Sequence, residues 1–463
     1  MAESENQLGT KSIGGLMMKF AVPCIISLLV NSLYNIVDQI FIGRYVGYLG
    51  NGATNVIFPI TVVALAVALL VGDGGAAYLS LKLGLGQKEE AAKGVGNAIV
   101  ISCVFAAAFC LLSYTMLDPM IRLFGATDAI YPFARDYGRI ILAGLPFGIV
   151  GVTMNSIIRA DSSPKYAMFS MIIGAVINTV LDPIFIHVLD MGVKGAAYAT
   201  ILGQIASFLF SIFYLRKFKT ISVGKKEYKL SAKTLRIVLP YGISSFITQI
   251  SVVFVVAVSN NVLVTYGAQS VYGAEIPLTA LGIVMKVNQI MISICVGIAV
   301  GIQPIVGFNY GAGNYKRVKK AYGYAVGAAV AVMTAAFLVF QLSPMTLINL
   351  FGSENELYNT FAEKCFRIFL MLMICNGFQI VSGNFMQALG KPAKAAALSL
   401  SRQIVFLIPF TLILPRFLGV EGALWAGPVS DLLAFLLALG LVIHEMADLG
   451  KKDRAAKRSD EVV

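Results

Sequence analysis

The sequence predicts an all-α polytopic membrane protein with twelve transmembrane helices in two pseudo-symmetric six-helix lobes. Three observations lead to this fold class. The 463 residues are 58% hydrophobic and only 13% charged, whereas soluble domains carry about 25% charged residues. Apolar runs of about 20 residues, long enough to cross a hydrocarbon core of about 30 Å, recur along the chain. Motifs of the first half also recur in the second half.

Twelve apolar runs define the predicted membrane spans. Several exceed about 23 residues, which implies that the helices tilt or extend beyond the bilayer. The runs cover residues 20–43, 53–81, 95–117, 137–158, 166–188, 195–215, 238–264, 276–308, 321–343, 361–387, 395–415 and 422–446. An even number of spans places both termini on the same side of the membrane.

The distribution of basic residues orients these spans. The net charge is +12, and the loops and flanks on the side of the termini carry 26 Lys and Arg residues against 8 on the opposite side. Because cytoplasmic loops are enriched in Lys and Arg, we expect a plasma-membrane protein with both termini in the cytoplasm. Basic residues confined to short loops also argue against nucleic acid as a partner.

No motif in the sequence indicates an enzyme. The chain has no G-x-x-x-x-G-K-[ST] motif, and its two His residues are far apart and show no metal-ligand spacing. Its six Cys residues form no Cys-x-x-Cys pair, which fits free thiols packed among apolar neighbours. We therefore expect no enzymatic activity, no cofactor and no bound metal.

An internal duplication underlies the two lobes. Three pairs of segments match at an offset of 227 residues: LFG at 123–125 and 350–352, GLGQKEEAAK at 84–93 and GAGNYKRVKK at 311–320, and GVKGAAYA at 192–199 and GVEGALWA at 419–426. RADSSP at 159–164 matches QALGKP at 387–392 with an offset of 228, although it lacks the glycine of the second copy. Six spans in each half make this a parallel repeat, as in transporters that rock between two states.

The duplication divides the chain into four parts. We predict an N-terminal lobe at 14–215, a basic cytoplasmic linker at 216–237, a C-terminal lobe at 238–446 and a cytoplasmic tail at 447–463. A solvated linker facing the lipid headgroups is the simplest interpretation of its basic residues. Because channels are more often built from several copies of a short chain, the duplicated chain favours a monomeric transporter.

Acidic residues inside the spans are the strongest functional signal, since ionisable groups are costly in a membrane. Asp38 and Asp182 both lie about 9–12 Å below the outer boundary, at about 1.5 Å per helical residue. Thr200 lies at nearly the same depth, and Asn178 shares a helix face with Asp182. Two carboxyl groups in one apolar layer cannot both ionise easily. They could hold a proton, or a monovalent cation bridged by the Asn and Thr oxygens.

The same residues also allow a structural interpretation. Asp38 could be hydrated at the outer interface or capped by Arg44, and Asp182 could serve its own helix end near Pro183. The second half bears on this choice, because the repeat maps Asp38 to about Val255 and Asp182 to about Phe410. A pair needed for the fold would more often be kept in both lobes, so its loss favours an asymmetric, ion-binding role.

Three further groups of residues give weaker signals of function. Lys286 and Asp431 lie at matching depths in the second half and could pair, either as a structural pair or facing the substrate. Asp73, in VGDGGAA, is flanked by glycines that permit close helix contact, and the sequence assigns it no role. Pro23 removes a backbone hydrogen bond in the first span and could bend it.

Together these motifs resemble the multidrug and toxic compound extrusion (MATE) family, and in particular its bacterial and archaeal branch. The resemblance covers residues 14–446. It is carried by Asn35-x-x-Asp38 followed by Gly43 and Gly47, the GLGQ and GAGN loops, NTVLDPIFI (178–186), GVKGAAYAT (192–200) and QALGKP (387–392).

The resemblance implies a secondary antiporter that exports organic, cationic or amphiphilic compounds in exchange for inward H⁺ or Na⁺. It implies cation binding by Asp38, Asp182, Asn178 and Thr200 and a helix bend at Pro23. The expected substrate-contacting residues are Tyr34, Asn31, Asn155, Lys286 and Asp431. Acids that some relatives carry in the C-lobe cavity are not matched in this sequence.

Two other functions stay open at this point. A flippase for lipid-linked precursors belongs to the same superfamily, but such a cavity needs several basic residues for pyrophosphate, and only Lys286 and Arg402 lie within spans. A sensor or scaffold that transports nothing would not need the acidic layer. The sequence does not distinguish H⁺ from Na⁺, because the same carboxylates serve both.

Overall fold

The computed structural model describes residues 7–351 and 356–460, and these residues form helices and connecting turns without a β-strand. Eleven helices are long and apolar enough to cross a membrane, and a bent pair completes a twelfth span. The predicted all-α fold with twelve spans is therefore confirmed. The predicted LFG match at 350–352 and the end of the predicted tail at 461–463 lie partly or wholly outside the described residues.

The first half contains six membrane helices. They are α1 (Ile13–Tyr45), α2 (Tyr48–Gly84), α3 (Lys88–Thr115), α4 (Tyr131–Ala160), α5 (Pro164–Pro183, extended by a π-helical turn at Ile184–Val188) and α6 (Gly192–Phe213). A short helix, Leu117–Leu123, separates α3 from α4. Pro23 is buried within α1, which continues as one helix through it.

The second half repeats this order. Its helices are α7 (Ala232–Gly267), α8 (Glu275–Gly311), α9 (Tyr315–Leu342), the bent pair α10 (Glu356–Phe369 and Met373–Ala388), α11 (Pro392–Leu418) and α12 (Val420–Asp460). The two parts of α10 meet at 49°, and a short helix, Pro344–Phe351, precedes them. The segment predicted as a tail continues α12 as helix as far as Asp460.

Equivalent loops in the two halves share their backbone geometry. In the GLGQ loop Gly86 has φ +72°, and in the GAGN loop the equivalent Gly313 has φ +76°. This left-handed conformation strains residues that carry a Cβ atom. The same helix–turn–helix unit is therefore built twice, at the sequence positions that the repeat identified.

Each half has its own hydrophobic core, and α1 belongs to both. Ile42 near the outer end of α1 packs in the core of the first half. Leu16 and Phe20 near its inner end pack in the core of the second half. Here "inner side" means the side of the linker at 217–231. A single helix therefore connects the outer part of the N-lobe with the inner part of the C-lobe.

The two lobes approach closely on the inner side. A Cβ atom at Gly242 of α7 would lie 1.8 Å from the carbonyl oxygen of Leu70 in α2, and one at Gly84 would lie 2.1 Å from that of Phe308 in α8. Small residues allow helix backbones to approach in this way. Ser32 of α1 and Ser293 of α8 also hydrogen-bond across the lobes near mid-membrane, at 2.9 Å. The structure is therefore closed on the inner side.

The linker backbone is fixed at both of its ends. The buried carboxylate of Asp161 accepts hydrogen bonds from the backbone amides of Lys219 (2.7 Å) and Thr220 (2.9 Å). Asn97 of α3 bonds the carbonyl of Lys229 (3.1 Å) and the amide of Ser231 (2.6 Å). The basic side chains of this segment are mostly exposed, as a solvated linker requires, while its backbone is held against the N-lobe.

Candidate functional site

The acidic layer that the sequence predicted assembles between α1, α5 and α6. Asp38 of α1 and Asp182 of α5 are both buried, with exposed fractions of 7% and 0%. Their carboxyl groups lie within hydrogen-bonding reach of one another. A hydrogen bond between two carboxyl groups requires a proton on one of them. The pair is thus arranged to share a proton.

The two predicted polar partners are also in place. The amide of Asn178 donates to Oδ1 of Asp182 and is 3.3 Å from the hydroxyl oxygen of Thr200. Oδ1 of Asp38, Oδ2 of Asp182 and Oδ1 of Asn178 are buried and have no hydrogen-bond partner in the part of the chain that the structure describes. Unpaired buried oxygens are costly. Because these three lie in one small group, they form a natural set of ligands for a proton or a small cation.

The structural interpretation of Asp38 does not fit its surroundings. Arg44 is exposed, and its guanidinium lies 5.8 Å from the ring centre of Tyr45. Among the described residues, Asp38 has no ion pair with a Lys or Arg side chain. Its burial also excludes simple hydration at the outer interface. Asp38 is therefore a buried acid whose nearest charged neighbour is another acid.

Two residues that the sequence did not single out complete the surroundings of the pair. The buried Tyr137 of α4 lies close enough to interact electrostatically with both Asp38 and Asp182. The same holds for Tyr34. The side-chain oxygen of Gln39, the neighbour of Asp38 in the chain, accepts from the hydroxyl of Thr54 at 3.2 Å. Tyr137 stands at the edge of an apolar run, so no periodicity or motif marked it.

The structure does not bring every predicted substrate residue to this layer. Asn31 lies one helical turn from Asn35, whose amide donates to its side-chain oxygen at 2.9 Å. Asn155 lies near the inner end of α4, where its amide donates to the carbonyl of Ala167 at 2.8 Å and its oxygen accepts from Arg159. Asn155 is thus about five turns along α4 from Tyr137, at about 1.5 Å per residue, and does not contact the acidic pair.

The suggested pairing of Lys286 with Asp431 is wrong. Asp431 of α12 is buried and accepts from the guanidinium Nε of Arg402 in α11 at 2.7 Å. Lys286 of α8 is exposed and makes no ion pair among the described residues. The predicted depth matched Lys286 to Asp431, but the direction in which the side chains face selects Arg402. Asp431 therefore belongs to a closed ion pair inside the C-lobe.

The C-lobe counterpart of the acidic pair is apolar. Val255, the repeat equivalent of Asp38, forms a small buried cluster with Leu407 and Ala426, and Phe410, the equivalent of Asp182, packs against it. The two positions that hold carboxyl groups in the N-lobe thus hold apolar side chains of one cluster in the C-lobe. This observation supports the asymmetry that the sequence predicted.

Asp73 has a clear structural place at the interface of the lobes. Its carboxylate accepts from Ser156 of α4 at 2.8 Å and from Ser245 of α7 at 2.7 Å. Arg159 of α4 lies 3.7 Å away. The amide of Gln387 in α10 donates to the hydroxyl of Ser245 at 3.2 Å. Asp73 therefore anchors a polar connection between the lobes on the inner side.

These features define a class of protein: a polytopic membrane transporter built from two six-helix lobes, with an acidic pair in only one of them. A family model described as MatE matches residues 23–184 and 250–413, one match in each half of the chain. The chain therefore belongs to the MatE family, the multidrug and toxic compound extrusion transporters. The duplicated match agrees with the internal repeat, and the predicted family is confirmed.

Curated relatives and solved structures agree with this assignment. The chain is 24% identical over 436 residues to the multidrug export protein MepA of Staphylococcus haemolyticus (strain JCSC1435), with 93% of each chain covered. A solved structure described as the outward-facing conformation of a multidrug resistance MATE family transporter matches with TM-score 0.89 and 23% identity. That match covers 96% of this chain and 98% of the other and shows the shared fold.

Within residues 7–351 and 356–460, no three His, Cys, Asp or Glu side chains group as metal ligands.

Proposed function

We propose that this protein is a secondary active antiporter that exports organic, cationic or amphiphilic compounds in exchange for inward H⁺ or Na⁺. The observation that carries the proposal is the buried pair Asp38 and Asp182, each with an oxygen that has no hydrogen-bond partner among the described residues. An inward ion would bind this pair together with Asn178 and Thr200. No enzymatic step, cofactor or structural metal is part of the proposal.

Coupling needs a connection between the ion site and the contact of the lobes, and α1 supplies one. Its outer half carries Asp38, while its inner half packs on α8, where a Cβ atom at Gly301 would lie 2.6 Å from Cα of Ala21. Pro23 lies in that inner half, and its missing amide removes one helical hydrogen bond. Protonation or sodium binding at Asp38 could therefore bend α1 and alter its contact with the C-lobe.

The transport cycle follows from this arrangement. With the inner side closed, the ion enters from outside and neutralises the acidic pair, which favours release of a cationic substrate. The lobes then open inward, the ion leaves to the cytoplasm and substrate binds. Exchange requires each ligand to bind one state better than the other. We propose Tyr34, Asn31 and Lys286 as candidate substrate contacts, with Asn155 contributing only in a state that exposes the inner end of α4.

The flippase alternative finds less support in the charges of the spans. Of the two intramembrane cations considered for pyrophosphate binding, Arg402 is occupied by Asp431 at 2.7 Å. Lys286 alone would remain, and one lysine is a poor match for a diphosphate. The names of the MepA relatives, described as multidrug export proteins, also support export of small organic compounds. We further propose a monomer in the plasma membrane with both termini in the cytoplasm.

The decisive experiment is transport in vesicles with the two ion gradients imposed separately. Purified protein in liposomes should expel a fluorescent organic cation such as ethidium when one gradient, of pH or of sodium, is applied. Asp38→Asn should abolish this gradient-driven transport. Asp128→Asn, the same change at a side chain that is exposed on the outer surface, is the matched control and should transport normally. If neither gradient drives transport, or Asp38→Asn retains it, the proposal is wrong.

A further inference from the structure

Two equivalent loops on the inner side differ at one strained position. In the loop between α10 and α11, Gly390 adopts φ +69°, and in the loop between α4 and α5 the equivalent residue, Ser162, adopts φ +59°. Left-handed backbone costs free energy for a residue with a Cβ atom and little for glycine. Such strain tends to persist where a side chain has a function. The hydroxyl group is what Ser162 has and Gly390 lacks.

The hydroxyl of Ser162 is itself unsatisfied. The residue is only 8% exposed, and its Oγ atom is buried without a hydrogen-bond partner in residues 7–351 and 356–460. A buried polar group without a partner adds a second free-energy cost at the same residue. Neither the strain nor the missing hydrogen bond is offset by a contact within the described residues. A ligand that accepts a hydrogen bond would account for both.

Ser162 faces a small cavity with basic walls. The cavity has a volume of about 120 Å³ and is lined by Ser162, Lys19 of α1, Lys219 of the linker and Gln7, with Leu16 and Phe20 on its apolar side. Lys19 donates to the side-chain oxygen of Gln7 at 3.1 Å. Lys11 and Lys165 also lie close enough to repel Lys19. Two lysines thus line the cavity, and two more lie close to one of them.

No acidic side chain neutralises this charge among the described residues. The buried Asp161 precedes Ser162 in the chain, but its carboxylate is bound by the hydroxyl of Tyr214 (2.6 Å) and by the backbone amide of Lys219 (2.7 Å). The equivalent loop of the other half is different, because Lys391 and Lys394 both pair with the buried Glu445. The lysines of one loop are paired with an acid, whereas Lys19 and Lys219 have no acidic partner among residues 7–351 and 356–460.

We propose that Ser162, Lys19 and Lys219 bind a phosphate group at the inner side of the membrane. A phosphate offers only acceptor oxygens and negative charge, which match one hydroxyl donor and two ammonium groups. The ligand would connect the inner end of α1, the loop between α4 and α5, and the linker. The phosphate could come from an anionic lipid headgroup or from a free phosphate compound, and both present the same chemistry.

The test measures thermal stability of the full-length protein in a maltoside detergent and in nanodiscs. In detergent, inorganic phosphate is titrated against chloride at equal ionic strength. In nanodiscs, phosphatidylcholine alone is compared with phosphatidylcholine mixed with phosphatidylglycerol. A rise in melting temperature with phosphate indicates that a free anion suffices, and a rise only with phosphatidylglycerol indicates a lipid headgroup. Either result supports the site when substitutions at Ser162 and Lys19 weaken the response.

The variants distinguish phosphate binding at this site from nonspecific attraction of anions to the basic surface. Ser162→Ala and Lys19→Gln should each weaken the response to phosphate or phosphatidylglycerol roughly tenfold. Lys225→Gln removes an equal charge from an exposed part of the linker and should leave the response unchanged. Ser162→Gly relieves the strained backbone, so it should melt higher than wild type without phosphate and yet lose the response.

Three results would overturn the proposal. One is a wild-type protein that phosphate and phosphatidylglycerol stabilise no more than chloride and phosphatidylcholine do. A second is a Lys225→Gln variant that loses as much of the response as Lys19→Gln. The third is a Ser162→Gly variant that keeps the full response.

Discussion

The same position in the two lobes holds opposite chemistry. In the N-lobe, Asp38 and Asp182 face each other with free buried oxygens. In the C-lobe, their equivalents Val255 and Phe410 share an apolar cluster. Both arrangements sit in the same helix framework, so the fold does not require the acids. A group that costs stability in one copy of a duplicated fold and is absent from the other is best explained by function.

The buried acids of this protein also differ in their partners. The C-lobe acid Asp431 is paired with Arg402. The N-lobe acid Asp73 is satisfied by two serine hydroxyls, one from each lobe. Asp38 and Asp182 alone among these acids have neither a cation nor a full set of donors within the described residues. Structural acids in this protein are satisfied, and the proposed coupling acids are not.

The largest effect is expected from moving an acid into the apolar copy. Val255→Asp places an unpaired carboxylate in a hydrocarbon cluster and should destabilise the protein by about 3–5 kcal/mol. Asp38→Val, the reverse change in the N-lobe, removes a buried carboxyl group whose Oδ1 has no hydrogen-bond partner among the described residues, and it should cost less than about 1 kcal/mol. Thermal unfolding of both variants in the same detergent measures the difference. Equal destabilisation by the two changes would contradict the inference that the fold does not require Asp38.

A medium effect is expected at the polar connection between the lobes. Asp73→Asn weakens the bonds from Ser156 and Ser245 and should shift the balance away from the inner-closed state by about 1–3 kcal/mol. The measurement is the distance between spin labels attached at Glu89 and Lys316, which are exposed on the inner sides of the two lobes.

In wild type the short distance should dominate, and in Asp73→Asn a longer distance should appear. Asp128→Asn, at an exposed outer carboxylate, serves as the control and should keep the short distance. An unchanged distance distribution in Asp73→Asn would show that the glycine contacts alone hold the inner side closed.

A smaller effect is expected at the edge of the ion site. Thr200→Ala removes one ligand oxygen and should weaken ion binding by about 1 kcal/mol, or roughly fivefold. Thr279→Ala removes a hydroxyl that bonds only to carbonyls of its own helix and should have no effect. Calorimetric titration with the coupling ion compares the two. Equal affinity of Thr200→Ala and wild type would exclude Thr200 as a ligand.

Much of this architecture was predictable from the sequence. Hydropathy marked the twelve spans, and the offset of 227 residues marked the repeat. Counting residues from the membrane boundary brought Asp38, Asp182, Asn178 and Thr200 to one depth, and the structure places them together. Depth is a property of sequence position, because the rise per residue in a helix is fixed.

The remaining features depend on directions around the helices, which residue counting does not give. Asp431 matched Lys286 in depth but faces Arg402. Tyr137 reaches the acidic pair through the packing of α4 against α2, α5 and α6, and no motif marked it. Ser162 was visible only as a missing glycine in RADSSP, and its cavity depends on three segments that are distant in sequence.

The most direct test of ion coupling through Asp38 and Asp182 is the release of coupling ions when substrate binds to the purified protein. Substrate is titrated into weakly buffered protein, while a pH indicator follows released protons and a sodium-selective electrode follows released sodium. The wild type and Asp128→Asn should release one kind of ion, and Asp38→Asn and Asp182→Asn should bind substrate without releasing it. Undiminished ion release from both of these variants would contradict the assignment of coupling to the N-lobe acidic pair.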